Sequence, residues 1–215
     1  MSETGEKIFT DEHMTFATRS LFVAGSETTS TTLRCALLFM ITHPDVQARV
    51  QAEIDLVLGV RAPTMADREN LPYTNAVIHE IQRFSDIIPL NIPHATTTDV
   101  ELNGFLLPKG TYIIPLLHSV HRDAKQWSTP YEFNPSHFLD ENGGFVKRDA
   151  FMAFSAGRRA CLGESLARTE LFIFFTGLLQ QFTFKAPNGT PLPDMTPQMG
   201  TISSPKPYAL CALKR

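Results

Sequence analysis

Residues 154–163 read Phe154-Ser155-Ala156-Gly157-Arg158-Arg159-Ala160-Cys161-Leu162-Gly163. One cysteine sits near the end of this stretch, between two glycines, after two arginines and before an apolar run. A cysteine binds a metal as the thiolate, and nearby positive charge or a helix N-terminus favours that form. Arg158 and Arg159 precede Cys161, and residues 164–181 read as a helix whose free N–H groups would point back toward the sulfur. Such donors moderate how strongly a thiolate gives electrons to a metal. Gly157 suits a turn with positive φ, and Gly163 lets backbone approach a flat cofactor. Phe154 can pack near the sulfur and exclude water. Arg159 can pair with a carboxylate on the cofactor edge.

The spacing Phe-x-x-Gly-x-Arg-x-Cys-x-Gly resembles the haem-binding signature of the cytochrome P450 monooxygenases. An isolated cysteine reads as a small buried residue; the fixed aromatic, glycine and arginine positions around this one reverse that reading. The resemblance implies haem b, with Cys161 as its axial thiolate ligand and Phe154, Gly157, Arg159 and Gly163 around it.

Length and composition are consistent with this and exclude other classes. The chain has 215 residues, 43% of them hydrophobic, so a sizeable core can form. A net charge of −3 gives no support for nucleic-acid binding. Three widely spaced cysteines argue against a disulfide framework, and Cys35 and Cys211 read as free thiols. No apolar run reaches the ~18–20 residues needed to span a bilayer, and the polar stretch 1–7 lacks the apolar centre of a signal peptide.

Upstream, residues 10–42 read as one long helix, with Thr10 as N-cap and Asp11 and Glu12 in the first turn. At about 1.5 Å per residue such a helix spans roughly 45 Å and is expected to cross the molecule. Its middle, Ala24-Gly25-Ser26-Glu27-Thr28-Thr29, is rich in poor helix formers, which suits a widened or kinked turn. This run resembles the family's oxygen-activation segment. The resemblance implies that Ala24 leaves room for a diatomic ligand and that Glu27 and Thr28 relay protons to iron-bound oxygen.

A second, amphipathic helix is expected over Pro44–Leu58, stopped by Gly59, and a third over Pro72–Ser85 with Val77, Ile78 and Ile81 inward. The third carries Glu80 and Arg83 on one face, which alone would be an ordinary surface pair. It resembles the family's Glu-x-x-Arg motif, which implies a buried pair tied to the loop before the haem cysteine. Residues 130–138, with Pro130, Phe133, Pro135, His137 and Phe138, resemble the partner motif of that pair. There His137 replaces an arginine, and a histidine is a weaker, pH-dependent partner.

Residues 87–93 form a proline-bounded apolar loop. By resemblance it borders a substrate pocket, making Ile88 and Ile92 substrate contacts, with Thr201 and Ile202 overhanging from a later turn and His94 reaching a haem propionate. Asn103-Gly104 signals a type I′ hairpin inside one small antiparallel sheet over residues 94–115. Residues 118–150 are loop-rich. Residues 164–181 are expected to be apolar on most sides and deeply buried, and residues 182–213 form a C-terminal β segment.

The elements make a mainly α chain with small antiparallel β-sheets. The resemblance implies the C-terminal half only of a cytochrome P450 fold, one partial domain over 1–215, closest to the vertebrate microsomal xenobiotic- and fatty-acid-metabolising group that includes arachidonate epoxygenases. It further implies oxygen insertion from O2 into an apolar substrate such as a fatty acid, steroid or xenobiotic. Electrons would come from NADPH through cytochrome P450 reductase, with cytochrome b5 as an alternative donor. The parent would sit on the endoplasmic reticulum membrane, cytosolic face, through an anchor absent here. Two other expectations stand beside it: a truncated fragment that binds haem weakly or not at all and does not catalyse, and an isomerase of the same fold. The Glu27-Thr28 pair argues against the isomerase, which needs no oxygen-activating relay.

Overall fold

The computed structural model describes residues 10–215; the polar stretch 1–7 lies outside the described residues. Three helices form where capping and proline signals place them. Helix α1 (Asp11–Thr42) starts at Thr10, whose hydroxyl accepts the His13 N–H at 3.1 Å. Pro44 opens α2 (Pro44–Leu58), since a first-turn residue needs no N–H donor. The chain leaves α2 through Gly59 at φ +55°, a conformation that disfavours any Cβ. Pro72 opens α3 (Pro72–Ser85), which ends at Asp86 in the left-handed region.

The main core lies where α1, α2, α3 and a fourth long helix, α5 (Glu164–Gln181), meet. Phe39 and Met40 of α1, Val50 and Ile54 of α2, Val77 and Ile81 of α3, and Phe172 and Phe175 of α5 fill it. Two glutamines of α2 tie this core to the C-terminal β-structure. Gln47 uses its amide as a strand would: it donates to Met40 O and Phe184 O and accepts the Phe184 N–H at 2.7 Å. Gln51 donates to Leu179 O and Phe182 O.

The β-structure is a set of two-stranded antiparallel ribbons. β1 (His94–Ala95) pairs with β4 (Tyr112–Ile113), and β2 (Val100–Leu102) with β3 (Phe105–Leu107). The single sheet expected over 94–115 is therefore two separate ribbons: only two residues of β1 align with β4, and the β2–β3 hairpin turns at Asn103 and Gly104, both at positive φ. β5 (Phe182–Lys185) pairs with β8 (Cys211–Lys214), and β6 (Pro197–Gln198) with β7 (Ser204–Pro205). Between β4 and α5 runs an irregular stretch with a short helix, α4 (Leu117–His121).

Three expectations change. The small, hydroxyl-rich middle of α1 does not widen: the α-helix is unbroken there, and the hydroxyls bond back to its carbonyls, Thr28 Oγ1 donating to Ala24 O at 2.8 Å and Thr32 Oγ1 to Thr28 O at 2.9 Å. α1 also does not run buried through the molecule. Its C-terminal half is buried, and residues 11–27 are exposed. Finally, α5 is not buried on all sides. It buries Leu171, Phe172, Phe175 and Leu179, while Phe174 and Leu166 are 53% and 63% exposed, because packing neighbours reach one face only.

Candidate active site

Arg83 and Glu80 are wholly buried one turn apart on α3. Arg83 grips the carboxylate with two parallel bonds of 2.7 Å, from Nε and Nη2. Its remaining donors reach the carbonyls of His121, Pro130 and Glu132 at 2.7–3.0 Å. Glu80 Oε1 also accepts the Asn134 N–H at 2.8 Å. Every charge is met, so the pair joins α3 to the irregular stretch and is not a surface ion pair.

His137 completes this network. The Thr129 N–H donates to His137 Nε2 at 3.2 Å, so the ring proton sits on Nδ1, which faces both Glu80 oxygens at 3.2 and 3.3 Å. The substitution of histidine for arginine therefore leaves the third member in place.

Two more buried histidines extend the scaffold toward residues 154–163. His121 presents Nδ1 to Asp86 at 3.1 Å and accepts the Met152 N–H on Nε2 at 3.1 Å. It links the end of α3 to the segment just before the cysteine loop. His79 donates from Nδ1 to Asn75 O at 2.7 Å and accepts from Arg168 on Nε2 at 2.8 Å. Burial pushes its pKa down, to about 3, and the neighbouring Arg168, Arg68 and Lys147 charges act the same way against the hydrogen bond to Asn75. Arg168 in turn pairs with Glu164 at 2.8 Å and lies 4.9 Å over the Phe154 ring.

The cysteine loop is closed by the Cys161 N–H, which donates to Phe154 O at 2.9 Å. Ser155 and Gly157 both have positive φ, 62° and 75°. Cys161 is exposed and free. Arg159 is exposed and in no ion pair among the described residues. At Gly157 and Gly163 an added Cβ would meet open space. The Glu164 N–H points at Cys161 O at 3.4 Å, so this first helical donor meets the cysteine carbonyl rather than the expected sulfur. Phe154 packs on Arg168, on the side toward α3.

Contacts of neighbouring residues tie further segments to this loop, to the 87–93 loop or to the helix after it. Asn91 Nδ2 donates to Ser155 Oγ at 2.9 Å, which places the 87–93 loop directly against it. In that loop Ile88 is half-buried and Ile92 is 58% exposed. The Ser203 N–H donates to Ile87 O at 2.7 Å, so the turn carrying exposed Thr201 and half-buried Ile202 lies against the same segment. His94 follows in β1, half-buried. On α1, Thr29 Oγ1 donates to Glu170 Oε2 at 3.2 Å, bringing the Ala24–Thr28 turn beside α5, the helix that the cysteine loop feeds. Ala24 and Glu27 are exposed and Thr28 is half-buried.

Exposed thiol, unpaired cation, open glycines and adjacent apolar side chains (Leu162, 87% exposed, and Ile92) fit a flat, apolar, anion-edged cofactor bound through sulfur. The sequence reading did not find His79, His121 or Asp86. A lone histidine carries no periodic signal, and only the partners that folding supplies reveal its use.

A family model described as Cytochrome P450 matches residues 1–212. Cytochrome P450 2D3 of Rattus norvegicus is 58% identical over 211 residues, which cover 98% of this chain and 42% of that protein. Cytochrome P450 2D20 of Mesocricetus auratus is 59% identical over 211 residues, with the same coverage, 98% and 42%. Cytochrome P450 2K1 of Oncorhynchus mykiss is 53% identical over 219 residues, covering 100% of this chain and 44% of that protein. The chain spans less than half the length of these curated relatives.

Proposed function

The chain belongs to the cytochrome P450 family, and on that premise we propose that it supplies the thiolate half of a haem monooxygenase acting on an apolar organic substrate. The observation that supports the reading is that two separate segments dock on the loop that carries the exposed Cys161 thiol and on the helix after it. The Asn91–Ser155 bond docks the apolar 87–93 loop on the cysteine loop, and the Thr29–Glu170 bond docks the Ala24–Thr28 turn beside the helix that follows it.

Each residue then has a task. Cys161 Sγ is the ligand atom. Haem b, when bound, supplies reductive activation of dioxygen and transfer of one oxygen atom, with thiolate donation favouring O–O cleavage as is general in this family. Arg159, with no ion pair among the described residues, and His94 bind its carboxylates. Phe154, with the Arg168 guanidinium behind it, keeps the loop rigid and dry on the α3 side. Gly157 allows the positive-φ turn, and Gly163 leaves the face of the loop clear. The exposed Glu27 carboxylate takes protons from water and the Thr28 hydroxyl hands them on, turning from Ala24 O to do so. Ile88, Ile92, Thr201 and Ile202 form an apolar wall. Glu80, Arg83 and His137 hold the loop's platform and do not touch substrate.

The whole protein's electron source is then NADPH through cytochrome P450 reductase, with cytochrome b5 as an alternative donor, at the cytosolic face of the endoplasmic reticulum; among the described residues no helix is long and apolar enough to cross a membrane. Fatty acids, steroids and xenobiotics, including fatty-acid epoxidation, define the substrate class. One observation supports the rival, non-catalytic reading: Cys161, Arg159 and Glu27 are all exposed, so this chain alone leaves the site open to water.

Turnover of lauric acid with purified reductase, NADPH and isotopically labelled dioxygen tests the proposal. One labelled oxygen atom per product is expected, lost in Thr28→Ala with NADPH still consumed. Product formed from a fatty-acid hydroperoxide without NADPH or O2 would identify an isomerase instead. No product with either would favour the non-catalytic reading.

A further inference from the structure

A small pocket, with about 10 Å³ of room, lies between the short 3-10 helix Met65–Asn70, α3 and α5. That is space for one particle of about the size of a water molecule or a small ion. Ile78 and Phe172 form its apolar side, and Arg68, Asn75, Gln82 and Arg168 surround them. No residue of the thiol loop, the 87–93 loop or the Thr201–Ile202 turn lines it.

Acceptors at the pocket are mostly spent, and donors are not. Asn75 Oδ1 accepts from Arg68 Nε at 3.0 Å, and His79 Nε2 from Arg168 Nη1 at 2.8 Å. Both Nη groups of Arg68, Nη2 of Arg168 and Nδ2 of Asn75 have no hydrogen-bond partner among the described residues. Gln82 carries the sharper signal. It is only 8% exposed, yet neither end of its side-chain amide is hydrogen-bonded among the described residues. A buried amide without a partner costs stability, and a ligand that reaches it removes that cost. Charge points the same way. Arg68 is in no ion pair among the described residues, and burial together with the nearby Arg168 charge lowers its pKa. Glu164 pairs with Arg168 through Nε and does not line the pocket. The acids beside Arg68 do not pair with it: Asp67 is bound by Arg61, and Glu69 is exposed. Two guanidiniums therefore share one carboxylate, and Lys147 adds positive charge near His79.

We propose that this pocket binds one small monatomic anion of the chloride class, held by the guanidiniums of Arg68 and Arg168 and by the amide N–H groups of Asn75 and Gln82. A water molecule needs acceptors as well as donors, and Gln82 Oε1 is the one side-chain acceptor left unspent there. An anion takes donors only. Bound between the two arginines, it offsets their repulsion and ties the 3-10 helix to α3 and α5. It also steadies Arg168, whose guanidinium lies 4.9 Å over the Phe154 ring. The site is independent of whether haem is bound.

The test is urea unfolding of the 215-residue chain at fixed ionic strength, with sodium chloride replacing sodium gluconate. The unfolding midpoint should rise with chloride along a one-site saturation curve, because a ligand of the folded state alone stabilises it. Bromide should act in the same way. Gln82→Met removes the amide at similar volume and should weaken the apparent chloride affinity about ten-fold, as a hydrogen bond to a charged group requires. Arg68→Met should abolish the dependence. Line broadening of the chloride-35 resonance reads the same binding without unfolding, and serves for any protein whose unfolding is not cooperative. It should be saturable in the unaltered chain and lost in Arg68→Met. A midpoint and a line width without saturable chloride dependence would overturn the proposal and leave the pocket to a water molecule. A chloride dependence equal in the unaltered chain and in both variants would overturn it by placing the anion elsewhere.

Discussion

Arg83 is the residue on which the geometry before the thiol loop most depends. With no exposure, it spends its donors on Glu80 and on three carbonyls of the irregular stretch. Removing one partner of a buried pair leaves the other charge uncompensated and costs about 3–5 kcal/mol. Arg83→Met should therefore lower the free energy of urea unfolding by that amount, whereas Arg68→Met, at a half-buried arginine whose Nε donates to Asn75, should cost far less. His79 gives a pH signature. The unfolded chain binds its proton near pH 6.5 and the folded chain only at about pH 3. Between those values the unfolded state holds more protons, so stability must fall as pH drops below 6.5. His79→Gln should flatten that slope in urea titrations across the same window.

At this scale the sequence was legible where spacing carries meaning. Cys161 sits in a dense motif and could be read from it, whereas Glu80 and Arg83, one turn apart, read on spacing alone as an ordinary surface pair, and only the family resemblance implied their burial. His121 could not: nothing in residues 117–123 says that its two nitrogens will bridge Asp86 and Met152. His137 was legible as a weaker replacement for arginine. Its role depends on Thr129 fixing the tautomer, a contact eight residues away in the chain.

Among the elements, α2 and α3 follow local rules almost residue for residue: proline opens each, and Gly59 or a left-handed Asp86 ends it. The apolar stripe of α2 was readable, but not the use of Gln47 and Gln51 as substitute strand partners for β5. A polar residue beside an apolar stripe reads as solvent-facing until a distant backbone meets it. Gln47→Leu should leave both the N–H and the C=O of Phe184 unpaired, at about 1–3 kcal/mol for each group. The check is urea unfolding, with hydrogen exchange at Phe184 rising in step; unchanged stability would show that the amide is dispensable. α1 shows the opposite failure. Its hydroxyl-rich turn favours bending, yet Thr28 and Thr32 satisfy helix carbonyls without breaking the ladder.

For the whole molecule, long-range packing decides what the local patterns leave open. The four-helix core of α1, α2, α3 and α5 is complete within the described residues, whereas the first half of α1 and one side of α5 stay exposed. Met14, Phe16, Leu21 and Phe22 are each more than half exposed along one helix, an apolar surface of the kind that drives association. Phe16→Ser with Phe22→Ser should reduce self-association of the chain in light scattering and leave its unfolding free energy nearly unchanged. A large loss of stability would show instead that these side chains belong to the core.

The central claim is that Cys161 Sγ binds haem iron. Its most direct test is an optical one, on the 215-residue chain titrated with haem, reduced and exposed to carbon monoxide. The account predicts a strongly red-shifted Soret band in the difference spectrum, abolished by Cys161→Ser and retained in Cys35→Ser and Cys211→Ser. A red-shifted band that survives Cys161→Ser, or its absence from the unaltered chain with haem demonstrably bound, would contradict it.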